Sequence, residues 1–157
     1  MPKPLNVKEL KSKLEHFCAY QERCHEEVIA KLKALHADID EVDTVVVHLI
    51  EHHFLNEERF ARSFARGKHR IKQWGKIRIV SELRFRNISQ FNISAGLSEI
   101  TAEVYTATLH TLAERIWNNI HEINTLKKNK KFCDYLLRKG YEKNLVYEML
   151  NSMPSKK

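Results

Sequence analysis

The sequence predicts an all-α protein made of three tandem three-helix repeats, and three observations support this prediction. Only three of the 157 residues are proline, and they stand at positions 2, 4 and 154. The interior therefore contains no proline that would break a helix. Apolar residues recur at intervals of three and four, the spacing of a buried helical stripe. One pattern of apolar residues also occurs three times along the chain.

The composition fits one globular domain or a few small repeated units. Hydrophobic residues make up 43% of the chain, which is enough to form a core and argues against global disorder. We see no apolar run of about 18 residues and no secretory signal, so we expect neither a membrane span nor a signal peptide. The three cysteines, an odd number without secretory context, indicate reduced thiols in the cytoplasm.

Helical spacing recurs from the first segment to the last. Leu10, Leu14 and Phe17 begin the pattern near the start of the chain. A longer stripe follows later, at Leu109, Leu112, Ile116, Ile120 and Ile123. The run TVVVHLI at 44–50 is the only serious candidate for a strand. It continues into charged residues without a turn signal, so we expect a helix there.

Aligning Leu32, Leu83 and Leu136 reveals the repeat. Apolar residues stand four positions before and ten and fourteen positions after each leucine: Val28, Val42 and Val46; Ile79, Ile93 and Leu97; Phe132, Val146 and Leu150. The pattern predicts a helix that ends near the third residue after the leucine, a left-handed cap at the fourth, and then a short helix. Asn87 and Gly140 tolerate such a cap. His36 fits it less well, which leaves a different cap open at that end.

These copies predict the organisation of the chain. We expect helical repeats at 10–52, 57–100 and 103–151, of which the middle one is basic. Flexible tails are expected at 1–9 and 152–157.

The helix that opens the middle repeat is predicted in more detail. Asn56 is a good N-cap, and two acidic residues follow it in the first turn. We expect one apolar stripe to face the core, with arginines and His69 on the opposite side; the stripe is Phe60, Phe64, Gly67 and Ile71. A glycine inside a helix costs roughly 1 kcal/mol relative to alanine. A neighbouring helix is therefore expected to pack closely at Gly67.

Positive charge is concentrated rather than mixed. Residues 59–86 carry ten Lys or Arg and one acid, whereas residues 1–58 carry seven basic and twelve acidic residues. A second block, 127–139, has six basic residues and one acid. Segregation of this kind indicates a surface for a partner, although a merely solvated face is the alternative. The predicted partner-binding residues are Arg59, Arg62, Arg66, Lys68, His69, Arg70, Lys72, Lys76, Arg78, Arg84 and Arg86, with a secondary basic patch at Lys127, Lys128, Lys130 and Lys131.

The basic segment also resembles a known family. FLNEERFARSFARGKHRIKQWGKIRIVSELRFRNIS, residues 54–89, closely resembles the central repeat of the RecX family, bacterial regulators of the RecA recombinase. AYQERC at 19–24 with EEVIAKL at 26–32 resembles the first repeat, and YLLRKGYEKNLVYEML at 135–150 resembles the third. Asn56 and Asn87 stand where many members have Asp and Gly. Both exchanges preserve the capping chemistry.

The resemblance implies a fold and a function. Family members form elongated, curved arrays of three-helix repeats that bind the RecA filament on single-stranded DNA. They inhibit filament growth, ATP hydrolysis and strand exchange, and so act in DNA repair, recombination and the SOS response. The resemblance therefore implies a protein that is not an enzyme, with no cofactor and no small-molecule substrate. A basic surface could meet acidic protein or DNA phosphates, and both possibilities stay open.

Catalytic motifs are missing from the sequence. It contains neither a Walker-type phosphate loop, nor G-x-S-x-G, nor paired Cys-x-x-Cys. His48, Glu51 and His52 do not match H-E-x-x-H, and we interpret them as a solvated or partly packed helix face. The loose group of Cys18, Cys24 and His25 is interpreted as packing. We therefore predict no catalytic, cofactor-binding or metal-binding residues.

Two further interpretations follow from the residues. One is a helical protein that binds DNA or RNA directly, without a recombinase partner. The other is an adaptor of helical repeats that does not involve nucleic acid. Aromatic residues among arginines can stack on unpaired bases, but packing is the expected role of Trp74 at a helix junction and of Trp117 in the core.

Overall fold

The computed structural model describes residues 4–154, and the fold in that range is all-α, as predicted. The segment 44–50 lies inside a helix, so the helical interpretation of this apolar run is confirmed. No helix in the described range is long and apolar enough to cross a membrane. The helices within residues 4–154 are α1 (Val7–Tyr20), α2 (His25–Ala34), α3 (Ile39–Glu51), α4 (Glu57–Lys72), α5 (Lys76–Phe85), α6 (Gln90–Leu97), α7 (Ala102–Asn119), α8 (Thr125–Lys139) and α9 (Lys143–Ser152).

The helices form three groups of three in chain order. We call α1–α3 the first unit, α4–α6 the second and α7–α9 the third. The helix pairs with extensive contacts lie within these units. The arrangement is consistent with tandem repeats, whose boundaries stay a prediction. Residues 7–9 begin α1 rather than forming a tail, because the Asn6 side chain accepts the N–H of Glu9 and caps the helix. Residues 1–3 and 155–157 lie outside the described range.

The predicted corner occurs in all three units. His36, Asn87 and Gly140 have left-handed φ angles of 64°, 58° and 99°. In each unit the next N–H donates to the carbonyl of the aligned leucine, at 3.0 Å to Leu32, 3.1 Å to Leu83 and 3.2 Å to Leu136. This is the Schellman pattern that ends a helix. His36 therefore adopts the same cap as the other two positions, in spite of its poorer fit.

Two hydrophobic cores hold the units. The first unit has its own core around Leu14, Leu32 and Leu49. A second core is shared by the other two units and includes Leu83 and Leu136. Cys24, at the start of α2, packs into this second core and so ties the first unit to the rest.

The buried face of α4 differs from the predicted stripe. Ile71 is 76% exposed and Phe64 is half-buried, whereas Ala61 and Ala65 are buried. The reason lies in α6, where a β-carbon added to Gly96 would lie 2.7 Å from the carbonyl oxygen of Ala61. The close approach is therefore made at Ala61 and not at Gly67. Nothing lies within 4 Å of a β-carbon built on Gly67, so the expected packing there is wrong.

The turn between α4 and α5 is seated on the corner between α8 and α9. Gly75 donates its N–H to the carbonyl of Lys139 at 2.8 Å, and the N–H of Ile77 reaches Gly140 at 2.9 Å. The hydroxyl of Tyr141 donates to the carbonyl of Gln73 at 2.8 Å. These hydrogen bonds fix the third unit against the second and bring the end of the second basic block beside the first block.

Candidate partner-binding surface

Arg59 stands at the start of α4, where it joins the first unit to the second. Asn56 caps the helix by accepting the N–H of Arg59 at 2.9 Å. The guanidinium pairs with Glu22 at 2.6 Å and donates to the carbonyls of His53 and Phe54 at 3.0 and 3.2 Å. The charge of Arg59 is therefore engaged within the protein.

Arg62 and Arg66 follow on the next turns of α4 and are also paired. Arg62 lies 3.3 Å from Glu58 and 3.6 Å from Glu99, and Arg66 pairs with the same Glu99 carboxylate. These three arginines are among the predicted partner-binding residues. The structure places acidic side chains from the α1–α2 connection and from the end of the second unit against them.

His69 is buried and does not belong to the surface, contrary to the prediction. Its side chain is 2% exposed, and its ring lies 5.3 Å from that of Tyr105. Nδ1 donates to the carbonyl oxygen of Trp74 at 2.8 Å. His69 thereby holds the end of α4 against the turn that follows it.

Near the end of α4 and in the turn that follows it, aromatic rings and cations lie side by side. The Lys68 ammonium lies 5.5 Å from the ring of Phe64 and 5.1 Å from that of Trp74. Arg78 covers Trp74 at 4.3 Å, and Arg86 covers Phe64 at 4.9 Å. We call Phe64, Lys68, Trp74, Arg78 and Arg86 the aromatic–cationic cluster. An aromatic face attracts a cation electrostatically, and this attraction helps to hold these side chains in place.

Trp74 thus packs at the helix junction, as expected. Arg86 is also paired with Glu82 at 2.9 Å. Six predicted binding residues are at least partly exposed and have no acidic partner within 4 Å among residues 4–154. They form the remaining positive surface: Lys68, Arg70, Lys72, Lys76, Arg78 and Arg84.

Two cations that the sequence interpretation left out of the site lie at the same junction. The Lys139 ammonium donates to the carbonyl of Lys72 at 2.9 Å, and Arg78 donates to the carbonyl of Arg138 at 3.3 Å. The end of the second basic block is therefore beside the turn of the first. Both residues directly precede the predicted cap at Gly140. This position at the end of a helix is the sequence feature that could have indicated them. We define Lys68, Arg70, Lys72, Arg78, Arg138 and Lys139 as the junction surface.

The secondary basic patch does not form one surface. Lys130 pairs with Asp134 at 2.7 Å and Lys131 with Glu122 at 3.4 Å. Lys127 is exposed, whereas Lys128 is buried against Trp117, which lies in the core as predicted.

Other candidate chemistry is limited in the described residues. His48 binds Glu15 at 2.7 Å and stacks on His52, and no group of three or more potential metal ligands occurs within residues 4–154. Cys18 and Cys24 are buried, and this burial raises the pKa of each thiol to about 11. Both cysteines are therefore protonated packing residues at neutral pH.

The most basic unit matches a known family. A family model described as RecX, second three-helix domain, matches residues 56–97. The regulatory protein RecX of Limosilactobacillus reuteri is 24% identical over 139 residues, which are 88% of this chain and 52% of that protein. The corresponding protein of Clostridium acetobutylicum is 27% identical over 147 residues, 91% of this chain and 68% of its own. The chain thus spans about half the length of several curated relatives that it matches.

Solved structures agree on the fold. A crystal structure of regulatory protein RecX matches with a TM-score of 0.83 at 22% identity, covering 94% of this chain and 73% of that one. RecX from Lactobacillus salivarius matches with a TM-score of 0.78 at 22% identity, covering 92% and 94%. Residues 56–97 match the second three-helix domain of RecX, and the chain is similar to RecX regulatory proteins over most of its length and shares their fold.

Proposed function

We propose that this protein binds the RecA recombinase filament on single-stranded DNA and inhibits filament growth, ATP hydrolysis and strand exchange. The match of residues 56–97 to a RecX domain and the similarity of the chain to RecX regulatory proteins support this function. Action on RecA would place the protein in the cytoplasm, in DNA repair and recombination. It would act by binding alone, without catalysing a reaction.

The observation that carries the proposal is the position of the cations within the matched domain. Residues 56–97, which match the family model, contain Lys68, Arg70, Lys72 and Arg78 of the junction surface. No carboxylate within residues 4–154 lies within 4 Å of these four cations. Cations that no carboxylate neutralises are available to attract an acidic partner from a distance.

The pairing pattern changes which residues we assign to the interface. Arg59, Arg62 and Arg66 are neutralised by Glu22, Glu58 and Glu99, so a partner would have to displace existing ion pairs. A partner that binds the junction surface would displace no ion pair formed within residues 4–154. We therefore assign filament contact to the junction surface first, and treat the three paired arginines as residues that shape the joint between the first two units.

The rigidity of the junction also supports this assignment. Backbone hydrogen bonds from Gly75 and Ile77 lock the second unit against the third beneath these side chains. A surface that spans two locked units can present a fixed spacing of charge to a repeating target such as a filament. Fixed spacing reduces the entropy that is lost on binding.

The test is RecA-dependent ATP hydrolysis on single-stranded DNA, titrated with this protein at ratios well below one per RecA. We expect hydrolysis to fall as the protein is added. The comparison variant is Arg70→Glu/Lys72→Glu, because both side chains are exposed and neither pairs with an acid in the described structure. A full inhibitory effect by the variant would remove the junction surface from the proposal.

Binding to bare DNA separates the remaining possibilities. Tight, salt-dependent binding to single-stranded DNA without any effect on RecA would favour direct nucleic-acid binding. No effect on RecA and no binding to DNA would contradict the proposed function and favour an adaptor role.

A further inference from the structure

A cavity of about 270 Å³ opens in the third unit, away from the residues assigned to filament contact. Its walls include the apolar side chains of Trp117, Leu150 and Met153. Ile123 and Pro154 also contribute apolar surface, and the polar lining residues are Glu122, Thr125, Lys128, Asn129 and Asn151. Half of the lining residues are apolar and half are polar or charged, so the cavity suits a ligand that has both an apolar and a polar part. Its volume is slightly below the range of about 300–1,000 Å³ that is typical of small-molecule sites, so only a small ligand fits.

Lys128 gives the cavity its chemistry. The residue is 7% exposed, and its ammonium lies 4.0 Å from the centre of the Trp117 ring. It has no hydrogen-bond or ion-pair partner among residues 4–154, although Lys130 and Lys131 on the same helix are both paired with acids. The Trp117 ring attracts the ammonium, but it offers no acceptor atom for the three N–H groups. The three N–H donors of Lys128 are thus available to an anion.

The surroundings favour a negative ligand. Thr125, the first residue of α8, also lines the cavity, and the N-terminus of this helix contributes partial positive charge. Glu122 lies at the cavity too, but its carboxylate accepts the N–H of Asn124 at 3.3 Å and the ammonium of Lys131 at 3.4 Å. Both contacts lower the pKa of Glu122, and the bond from Asn124 has the larger effect. Lys128 therefore has no carboxylate within 4 Å among residues 4–154.

We propose that this cavity binds a carboxylate carried on an apolar group, such as a small apolar acid or the C-terminal residue of a peptide. The carboxylate accepts hydrogen bonds from Lys128, and the apolar body packs on Trp117, Leu150 and Met153. Free phosphate fits less well, because it would leave the apolar walls empty. The site is independent of the junction surface and does not rest on the proposed function.

The experiment uses the full chain and the indole N–H signals of its two tryptophans in a two-dimensional NMR spectrum. Trp74→Phe assigns the two signals. The probes are N-acetyl-leucine, its amide, an acetylated tripeptide that ends in leucine, and inorganic phosphate. We expect N-acetyl-leucine to shift the Trp117 signal with a Kd of about 1 mM, as suits a ligand of this size. The amide should bind at least about tenfold more weakly, because it lacks the charge-assisted bond.

Two variants complete the design. Lys128→Met keeps the length of the buried side chain and removes its charge, and should weaken N-acetyl-leucine binding about tenfold or more. Lys130→Met on the same helix is the matched control and should bind like the parent. If Lys128→Met fails to fold, the comparison of acid and amide on the parent protein still decides.

The outcomes separate clearly. Binding of the tripeptide with higher affinity than N-acetyl-leucine would identify a peptide terminus as the source of the carboxylate, and the reverse order would identify a small acid. Equal binding of acid and amide, unchanged binding by Lys128→Met, or a larger response to phosphate than to N-acetyl-leucine would each overturn the proposal. So would the absence of any shift at Trp117.

Discussion

Gly75 and Gly140 meet backbone to backbone where the second unit rests on the third. A β-carbon on Gly75 would lie 2.5 Å from the nitrogen of Tyr141 and still closer to the carbonyl group of Gly140. A β-carbon on Gly140 would lie 2.5 Å from the nitrogen of Arg78, and Gly140 also has a left-handed φ of 99°. Neither position leaves room for a side chain, so two distant glycines together define the junction.

We therefore expect Gly75→Ala to lower the free energy of unfolding by about 1–3 kcal/mol, the usual cost of forcing extra volume into a packed site. Gly67→Ala is the matched control, since Gly67 lies within α4 and nothing would touch its added β-carbon. That control should raise the free energy by about 0.5–1 kcal/mol. Urea unfolding followed by circular dichroism measures both, and a neutral Gly75→Ala would contradict the close approach.

Leu83 is fully buried in the core that the second and third units share. Truncation to alanine leaves a cavity, and we expect Leu83→Ala to cost about 2–5 kcal/mol of unfolding free energy. Ile77 on the same helix is 54% exposed, so Ile77→Ala serves as the control and should cost much less. A loss below about 0.5 kcal/mol for Leu83→Ala would be typical of a surface site and would show that this leucine is not in the core.

Arg59 and Glu22 connect the first unit to the second through a bond of 2.6 Å. Arg59→Glu should destabilise the protein by about 1 kcal/mol, because partly exposed pairs contribute little but like charges repel. The charge swap Arg59→Glu/Glu22→Arg should recover part of that loss, as measured by urea unfolding. If the swap is as unstable as the sum of the two single variants, the pair does not stabilise this joint.

The junction surface predicts the salt dependence of binding. Each phosphate contact on single-stranded DNA contributes about 0.7 to the slope of log K against log salt. If Arg70 and Lys72 contact phosphates, Arg70→Glu/Lys72→Glu should reduce the slope by at least about 1.4. Lys8→Glu/Lys33→Glu places the same charge change on exposed residues of the first unit and should leave the slope nearly unchanged. Weaker inhibition of RecA with an unchanged slope would point to an acidic protein surface.

Burial of Cys18 and Cys24 predicts a loss of stability at high pH. Burial raises both thiol pKa values from 9.0 to about 11, so the neutral thiols stabilise the fold fully below pH 9.0. That contribution disappears as the pH rises towards 11, because the unfolded chain ionises first. Urea unfolding at pH values below 9.0 and near 11 should show a larger decline for the parent than for Cys18→Ala/Cys24→Ala. An equal decline would mean that other groups, such as the buried Tyr105, dominate.

Much of the candidate site could be predicted from sequence, but its inner organisation could not. The concentration of charge and the resemblance to RecX both indicate residues 59–86 from the sequence alone. Pairing of Arg59 with Glu22 and of Arg66 with Glu99 joins residues far apart in the chain, and no local pattern announces it. The burial of His69 does not follow from the sequence, because the side of α4 that is buried depends on where the neighbouring helices pack.

The sequence by itself determined the helices and their corners. Caps, apolar spacing and the left-handed residue after each aligned leucine are short-range properties, because they depend on hydrogen bonds within a few residues. Only the tertiary structure decided which face of α4 is buried and which cations stay unpaired. The face was decided by the close approach of Ala61 to Gly96. The pairing of the arginines was decided by the packing that brings Glu22 and Glu99 against α4. Both depend on contacts between residues far apart in the chain, which exist only once separate helices have packed.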